Sequence, residues 1–379
     1  MKKILLIIII CTFISGDTNS QVTGNFVFDG ITRSWIVYLP AGFNAEESLP
    51  LMIALHGYTQ NGQEIMQFSD FNTIADTGRF VVVYPNGVDN AWNVGFSGGS
   101  TADDVGFLSA LIDTLHQQYN IDYERVYATG LSNGGFMSYR LACELGNRIA
   151  AIAPVAGTMT DESLLACAPQ RMMPVLHIHG TADLIVNYNG GFGNRSVEQV
   201  LDYWNGYNNC PSLPLIEDLP DLVAEGSTVQ RQTWSPCEGS TEVMLLKVIN
   251  GGHTWPGSVG VTGVGITNRD IVASSEIWNF VSRFSLESPT GIDSHGSHTL
   301  KIYPNPANSD VLVIESAYPL TSPELIIYSI EGKTVVRQHV AVGVKSVLAD
   351  ISGLIPGIYF IRTSITGNLL TTRFIVLPR

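Results

Sequence analysis

The amino-acid sequence predicts an α/β fold, a mostly parallel sheet covered by helices on both faces, followed by a small all-β sandwich. Three observations carry this expectation. Eight short apolar runs recur between Asn25 and Gly251, several of them continuous rather than alternating, as in strands buried on both faces. Helical stripes lie between the later runs, which is the order of an α/β chain. Beyond Leu300 the pattern becomes strict alternation broken by turn signals.

The N-terminus, MKKILLIIIICTFISG, places two lysines before a short apolar run. It is too short and wrongly flanked for a membrane span and reads as a secretory signal peptide, residues 1–20, cleaved after Ser20 with Gly16 as the rival position. Cys11 lacks the small preceding residue of a lipidated cysteine, so removal rather than lipidation is expected. Residues 21–285 then form the α/β domain, with the runs NFVFDG, RSWIVYLP, LPLMIALHG, RFVVVYPNG, RVYATG, AAIAPVAG, PVLHIHG and VMLLKVING. In TADDVGFLSALIDTLHQQY, Val105, Leu108, Leu111, Ile112 and Leu115 share one helical stripe. Asp103 and Asp104 suit the positive end of that helix, and they lack the dense oxygen pattern of a calcium loop. SSEIWNFVSRF closes the domain in the same way.

Residues 286–299 are polar and rich in serine and glycine, a linker. Residues 300–379 alternate with period two between turn signals at Pro304-Asn305-Pro306, Glu331-Gly332 and Pro356-Gly357, as in a small sandwich. The formal net charge of −14 argues against nucleic acid, whose phosphates need a basic surface. It fits an exported protein acting on neutral substrates. Cys143, Cys167, Cys210 and Cys237 remain in the mature chain, an even count that suggests disulfides with three connectivities open.

The stretch RVYATGLSNGGFMSYRLA, Arg125 to Ala142, places Ser132 between glycines where a strand becomes a helix. A serine hydroxyl is a poor nucleophile unless a base takes its proton and donors receive the oxyanion. A tight strand-to-helix turn lifts its oxygen above the sheet edge, and the flanking positions must carry almost no side chain. The N–H of Asn133 falls at a helix N-terminus and is one candidate oxyanion donor. An acid and then a histidine should follow at later strand ends. Asp183 stands just beyond PVLHIHG and His253 just beyond VMLLKVING. The second donor is expected after LPLMIALHG, with the N–H of Tyr58 first and Thr59 second. His177 and His179 point to one side of a strand but lack a companion ligand, so core packing is the reading and no metal or cofactor is expected. Trp92 and Trp255 lie in loops at the expected rim, where with Tyr58 they would form a stacking slot for substrate. The segment from Asn187 to Thr233 shows no readable pattern and is expected to roof the site.

The motifs LHGYTQNG, ADDVGFLSALID, ATGLSNGGFMSYRLAC, IAPVAG, HIHGTAD and NGGHTWPG resemble the polyhydroxybutyrate depolymerase and feruloyl esterase group of α/β-hydrolases, over roughly Asn25 to Phe284. The resemblance implies an eight-stranded α/β-hydrolase sheet. It also implies Ser132 as nucleophile, Asp183 as acid, His253 as base, and disulfides Cys143–Cys167 and Cys210–Cys237. IYPNPANSDVLVI, LIPGIYFIR and TTRFIVL resemble the C-terminal sorting domain of the type IX secretion system of Bacteroidota. Together these imply a secreted serine esterase of feruloyl or acetyl esters of plant polysaccharide, whose tail meets the secretion machinery. The alternatives are a depolymerase of polyhydroxybutyrate-type polyesters and a non-catalytic binding protein on the same fold.

Overall fold

The computed structural model describes residues 20–96, 99–191, 193–258, 263–286, 300–307, 310–316, 319–320, 324–329, 333–365 and 368–377. The expected signal peptide, apart from Ser20, and the linker, apart from residue 286, lie outside the described residues. The chain divides into two compact units, Met1–Ser288 and Pro289–Arg379.

The first unit is built on one sheet of ten strands: β1 (Ser20–Phe28), β2 (Ile31–Leu39), β3 (Leu49–Leu55), β4 (Val81–Pro85), β5 (Ile121–Leu131), β6 (Ala151–Val155), β7 (Val175–Gly180), β8 (Leu215–Asp218), β9 (Thr228–Trp234) and β10 (Val243–Ile249). Their order is β1-β2-β4-β3-β5-β6-β7-β10-β9-β8. The central run from β4 to β10 is parallel, and both flanks are antiparallel. The helices are α1 (Gly62–Ser69), α2 (Phe71–Gly78), α3 (Asp104–Tyr119), α4 (Asn133–Glu144), α5 (Asp161–Ala166), α6 (Val197–Tyr207) and α7 (Ala273–Val281).

Alternation along β3 shows why the central runs are continuously apolar. Leu51, Ile53 and Leu55 join a core with Leu108 and Leu111 of α3, Leu141 of α4 and Leu201 of α6. Met52 and Ala54 join the opposite core with Ile65 of α1, Phe71 of α2 and Ile277 of α7. Each face of the sheet therefore buries its own layer, and neither set of side chains meets water.

The sheet exceeds the expected eight strands by β8 and β9. β8 is the edge strand, exposed along its whole length, and β9, which reads TVQRQTW, lies between it and β10. β8 is only four residues long and β9 is mostly polar, so neither presents the continuous apolar run that marked the other strands. The unpatterned segment from Asn187 to Thr233 supplies a core helix, α6, together with β8 and most of β9. The signal for α6 was nevertheless present. Ser196 and Gln199 form a capping box, and Val197, Val200, Leu201 and Trp204 are buried along one stripe.

At the start of α3, the Asp103 carboxylate accepts from Gly106 N at 2.9 Å, the expected cap. Asp104 does something else: fully buried, it pairs with Arg33 at 2.6 Å and accepts from Asn93 N at 2.7 Å. Two disulfides join Cys143 to Cys167 and Cys210 to Cys237. The first ties the C-terminal turn of α4 to the end of α5. The second ties the chain after α6 to the loop that precedes β10. Loops closed over 24 and 27 residues contribute about 3 kcal/mol each in the chain-entropy account.

The second unit has a three-stranded sheet, β11 (Leu300–Tyr303), β12 (Val311–Ser316) and β15 (Ser346–Asp350), in that order. A four-stranded sheet runs β14 (Thr334–His339), β13 (Glu324–Ser329), β16 (Gly357–Ile365) and β17 (Asn368–Val376). All pairings between these strands are antiparallel. Leu312, Ile314 and Ala349 of one sheet share a core with Leu325, Ile327, Ile361 and Phe374 of the other. The period-two alternation is the direct record of that sandwich. Among the described residues no helix is long and apolar enough to cross a membrane.

Candidate active site

Ser132 is the single residue between β5 and α4, with φ 54° and ψ −117°. A serine in that region costs on the order of 1–3 kcal/mol, and it persists only where the surroundings impose it. They do so through backbone contact. A Cβ on Gly134 would fall 2.0 Å from the Leu55 carbonyl oxygen, and one on Gly130 would fall 2.5 Å from the same atom. The turn after β5 is therefore pressed against the end of β3, where only glycine fits. Ser132 N donates to Val155 O at 2.9 Å, fastening the turn to β6 as well.

Asn133 clasps the loop before α3 at two points. Its Oδ1 accepts from Trp92 N at 2.6 Å and its Nδ2 donates to Trp92 O at 3.3 Å. Among the described residues, the backbone N–H groups of Asn133 and Tyr58 have no acceptor. Thr59 N is committed to Asn90 O at 2.8 Å, which removes the second-ranked donor and leaves Tyr58.

β7 and β10 are parallel neighbours, so the residues that follow them meet at one sheet edge. There His253 Nδ1 donates to Asp183 Oδ2 at 2.7 Å. Asp183 Oδ1 accepts from Ile185 N and Val186 N, each at 2.8 Å. Burial alone would raise the pKa of Asp183. Hydrogen bonds from His179 and His253 outweigh it and hold the carboxyl well below the usual carboxylate range. The anion fixes the Nδ1–H tautomer of His253 and leaves Nε2 as the basic nitrogen. The His253 backbone is pinned to Val264, with His253 N donating at 2.7 Å and Val264 N returning a bond at 3.2 Å. Ser132 stands at the same C-terminal edge, with β6 between its strand and β7.

The two tryptophans are not where the sequence reading put them. Trp92 and Trp255 are each 1% exposed, so neither offers a face to a substrate. Trp92 donates Nε1–H to His56 O at 2.9 Å, and Trp255 donates to Ser274 Oγ at 3.1 Å. Each indole has its N–H satisfied internally and its ring packed, Trp255 against Phe68 and Phe71. The exposed apolar side chains beside the candidate residues are others: Tyr58 (65%), Leu184 (79%), Ile185 (58%) and Val264 (50%). Sequence reasoning missed Leu184 and Ile185, although two large apolar residues directly after a turn aspartate are themselves a signal.

Fold and site together define an α/β-hydrolase with a serine turn and a carboxylate–histidine pair. Residues 33–190 match the family described as esterase PHB depolymerase, and residues 301–377 match the secretion system C-terminal sorting domain. A bifunctional acetylxylan esterase/xylanase of Neocallimastix patriciarum is 30% identical over 270 residues, covering 70% of this chain and 36% of that protein. Feruloyl esterase B of Piromyces equi is 29% identical over 264 residues, covering 67% and 46%. Feruloyl esterase D of Neurospora crassa is 27% identical over 271 residues, covering 68% and 84%. The chain thus spans well under half of the first relative's length and just under half of the second's. Residues 33–190 are thus similar to the polyhydroxybutyrate depolymerase and feruloyl esterase group, and residues 301–377 to secretion sorting domains.

One buried histidine beside the serine turn has a measurable consequence. His56 Nδ1 donates to Gly57 O at 2.7 Å and Nε2 accepts from Gly87 N at 3.0 Å, so the ring is neutral. Burial lowers its pKa from 6.5 to about 4, a shift only partly opposed by the Gly57 hydrogen bond. The folded value lies below the unfolded one, so protonation favours the unfolded chain. This contribution is complete above about pH 6.5 and is lost as pH falls, by roughly 3 kcal/mol near pH 4. Urea unfolding in neutral and acidic buffer should show the decline, and His56→Gln should flatten it. An acid slope unchanged by the substitution would contradict the assignment.

Proposed function

We propose that this chain is a secreted serine carboxylic ester hydrolase acting on feruloyl or acetyl esters of plant polysaccharide. The observation that carries the reading is the 2.7 Å bond from His253 Nδ1 to a buried Asp183, at the sheet edge that also holds Ser132 in a strained turn. His253 Nε2 takes the proton of Ser132, and the hydroxyl oxygen attacks the ester carbonyl carbon. The N–H groups of Asn133 and Tyr58 receive the negative charge that develops on the carbonyl oxygen. Collapse breaks the bond to the alcohol, which leaves with the proton from His253. Water then repeats the sequence on the acyl-serine, releasing the acid and restoring the serine. Asp183 stays ionised throughout and stabilises the imidazolium.

The substrate class is supported by the relatives, which carry the names feruloyl esterase and acetylxylan esterase. It is supported also by the exposed apolar rim of Tyr58, Leu184, Ile185 and Val264, with Tyr58 the aromatic face in place of the buried tryptophans. The family's polyester depolymerases remain the second reading, because the same chemistry cleaves hydroxyalkanoate esters. The expected result is a kcat/KM for methyl ferulate or an acetylated xylo-oligosaccharide at least about tenfold above that for a hydroxybutyrate oligomer, roughly 1.4 kcal/mol in the transition state. Ser132→Ala should lower turnover by several orders of magnitude. Faster cleavage of the hydroxybutyrate oligomer would reverse the ranking, and an active Ser132→Ala would overturn the nucleophile.

The same reading assigns residues 300–379 to export and gives them no part in catalysis, with delivery to the cell surface or the medium. A chain ending at Ser288 should keep its specific activity on soluble esters and fail to leave the cell. Loss of adsorption to insoluble xylan, with secretion intact, would make the sandwich a substrate-binding module instead.

A further inference from the structure

We infer that Tyr139, His177 and His179 form a neutral, one-directional hydrogen-bond chain that positions Asp183, and through it His253. The inference rests on the hydrolase reading of Asp183 and His253 but not on the choice of ester. Tyr139 lies on α4, the helix that begins immediately after Ser132, so the chain joins the nucleophile's helix to the acid's turn. His177 and His179 are alternate residues of β7 and point to the same side. All three side chains are buried.

The contacts run without a gap. Tyr139 OH lies 2.8 Å from His177 Nδ1, and His177 Nε2 lies 3.0 Å from His179 Nδ1. His179 Nε2 lies 2.8 Å from Val186 O and 3.3 Å from Asp183 Oδ2.

The direction of each bond follows from its last acceptor. Val186 O and the Asp183 carboxylate can only accept, so His179 Nε2 carries the hydrogen. A neutral His179 then presents a bare Nδ1, which requires the hydrogen on His177 Nε2. His177 Nδ1 is bare in turn, and the Tyr139 hydroxyl donates to it. The opposite arrangement would charge His179, turn His177 round and leave the Tyr139 hydroxyl hydrogen without an acceptor among the described residues. That would be a buried cation and a buried unsatisfied donor together. Burial, together with the neighbouring His179, also holds the pKa of His177 well below the ordinary histidine value, as the neutral form requires.

The nearby charges are already paired with one another. Lys247 of β10, opposite His179 in register, lies 3.6 Å from Glu198, and Glu198 accepts from Tyr188 OH at 2.7 Å. Tyr188 meets the His179 ring edge to face at 5.8 Å. Asp183 and His253 complete the set. His179 therefore braces the Asp183 turn at both the side chain and the Val186 carbonyl, while the Val186 N–H is itself held by Asp183.

Two experiments decide the matter. Long-range proton–nitrogen NMR on the wild-type protein at neutral pH should find His177 and His179 both as Nε2–H tautomers. An Nδ1–H tautomer or a doubly protonated ring at either position would overturn the chain. Kinetics then test its role. His179→Leu should lower kcat roughly tenfold or more with KM changed less than about twofold. His179→Gln, which can return an N–H to the Nε2 position, should recover most of that loss. Tyr139→Phe should cost about fivefold in kcat, one net hydrogen bond. Full activity in His179→Leu, or no recovery in His179→Gln, would overturn positioning. A wild-type protein without esterase activity would instead defeat the hydrolase reading, and the NMR result would still decide the chain.

Discussion

Everything at the candidate site depends on one close approach of backbones. The turn after β5 is pressed against the carbonyl of Leu55 at the end of β3, closely enough that a methyl group at Gly130 or Gly134 would overlap it. The contact holds Ser132 at its positive φ and places the start of α4 at the sheet edge. It also brings the residues just after Leu55, including Tyr58, whose N–H has no acceptor among the described residues, alongside the serine turn. The proposed nucleophile and both proposed oxyanion donors thus descend from a single packing constraint, and the parallel sheet supplies the other proposed partners at the same edge.

The second constraint is electrostatic. Asp183 is buried, yet it stays ionised because four N–H groups converge on it: two from its own turn, one from His253 and a longer one from His179. A carboxylate in that setting would be costly without those donors. The polar contacts around it run on through His179 and His177 to Tyr139, in the helix that follows Ser132. That network links Asp183 to the helix that begins immediately after Ser132, although the two residues are far apart in the chain.

Much of this was legible in the sequence, for reasons that can be stated. Continuous apolar runs marked the central strands because both faces are buried, and the glycines around Ser132 marked the turn because the backbone leaves no room for a side chain. Asp183 and His253 stood out because each directly follows such a run. What the sequence concealed was of three kinds. β8 is a four-residue exposed edge strand and β9 beside it is mostly polar, so neither leaves a continuous apolar run. Trp92 and Trp255 sit in loops, and loop position says nothing about which way a ring turns; both turn inward and satisfy their N–H groups in the core. The spacing of His177 and His179 shows only a shared face, whereas their hydrogen-bond partners come from α4 and from the turn after β7, which no local pattern reports. α6 is a different case. Its capping box and apolar stripe were readable and went unread among polar neighbours.

The central claim is that Ser132, His253 and Asp183 act as one nucleophilic unit, and covalent trapping measures that most directly. A fluorophosphonate should give a single adduct, mapped by peptide mass spectrometry to the segment carrying Ser132, and His253→Ala should abolish its formation. An adduct on another residue, or equal labelling in the His253 variant, would contradict the account.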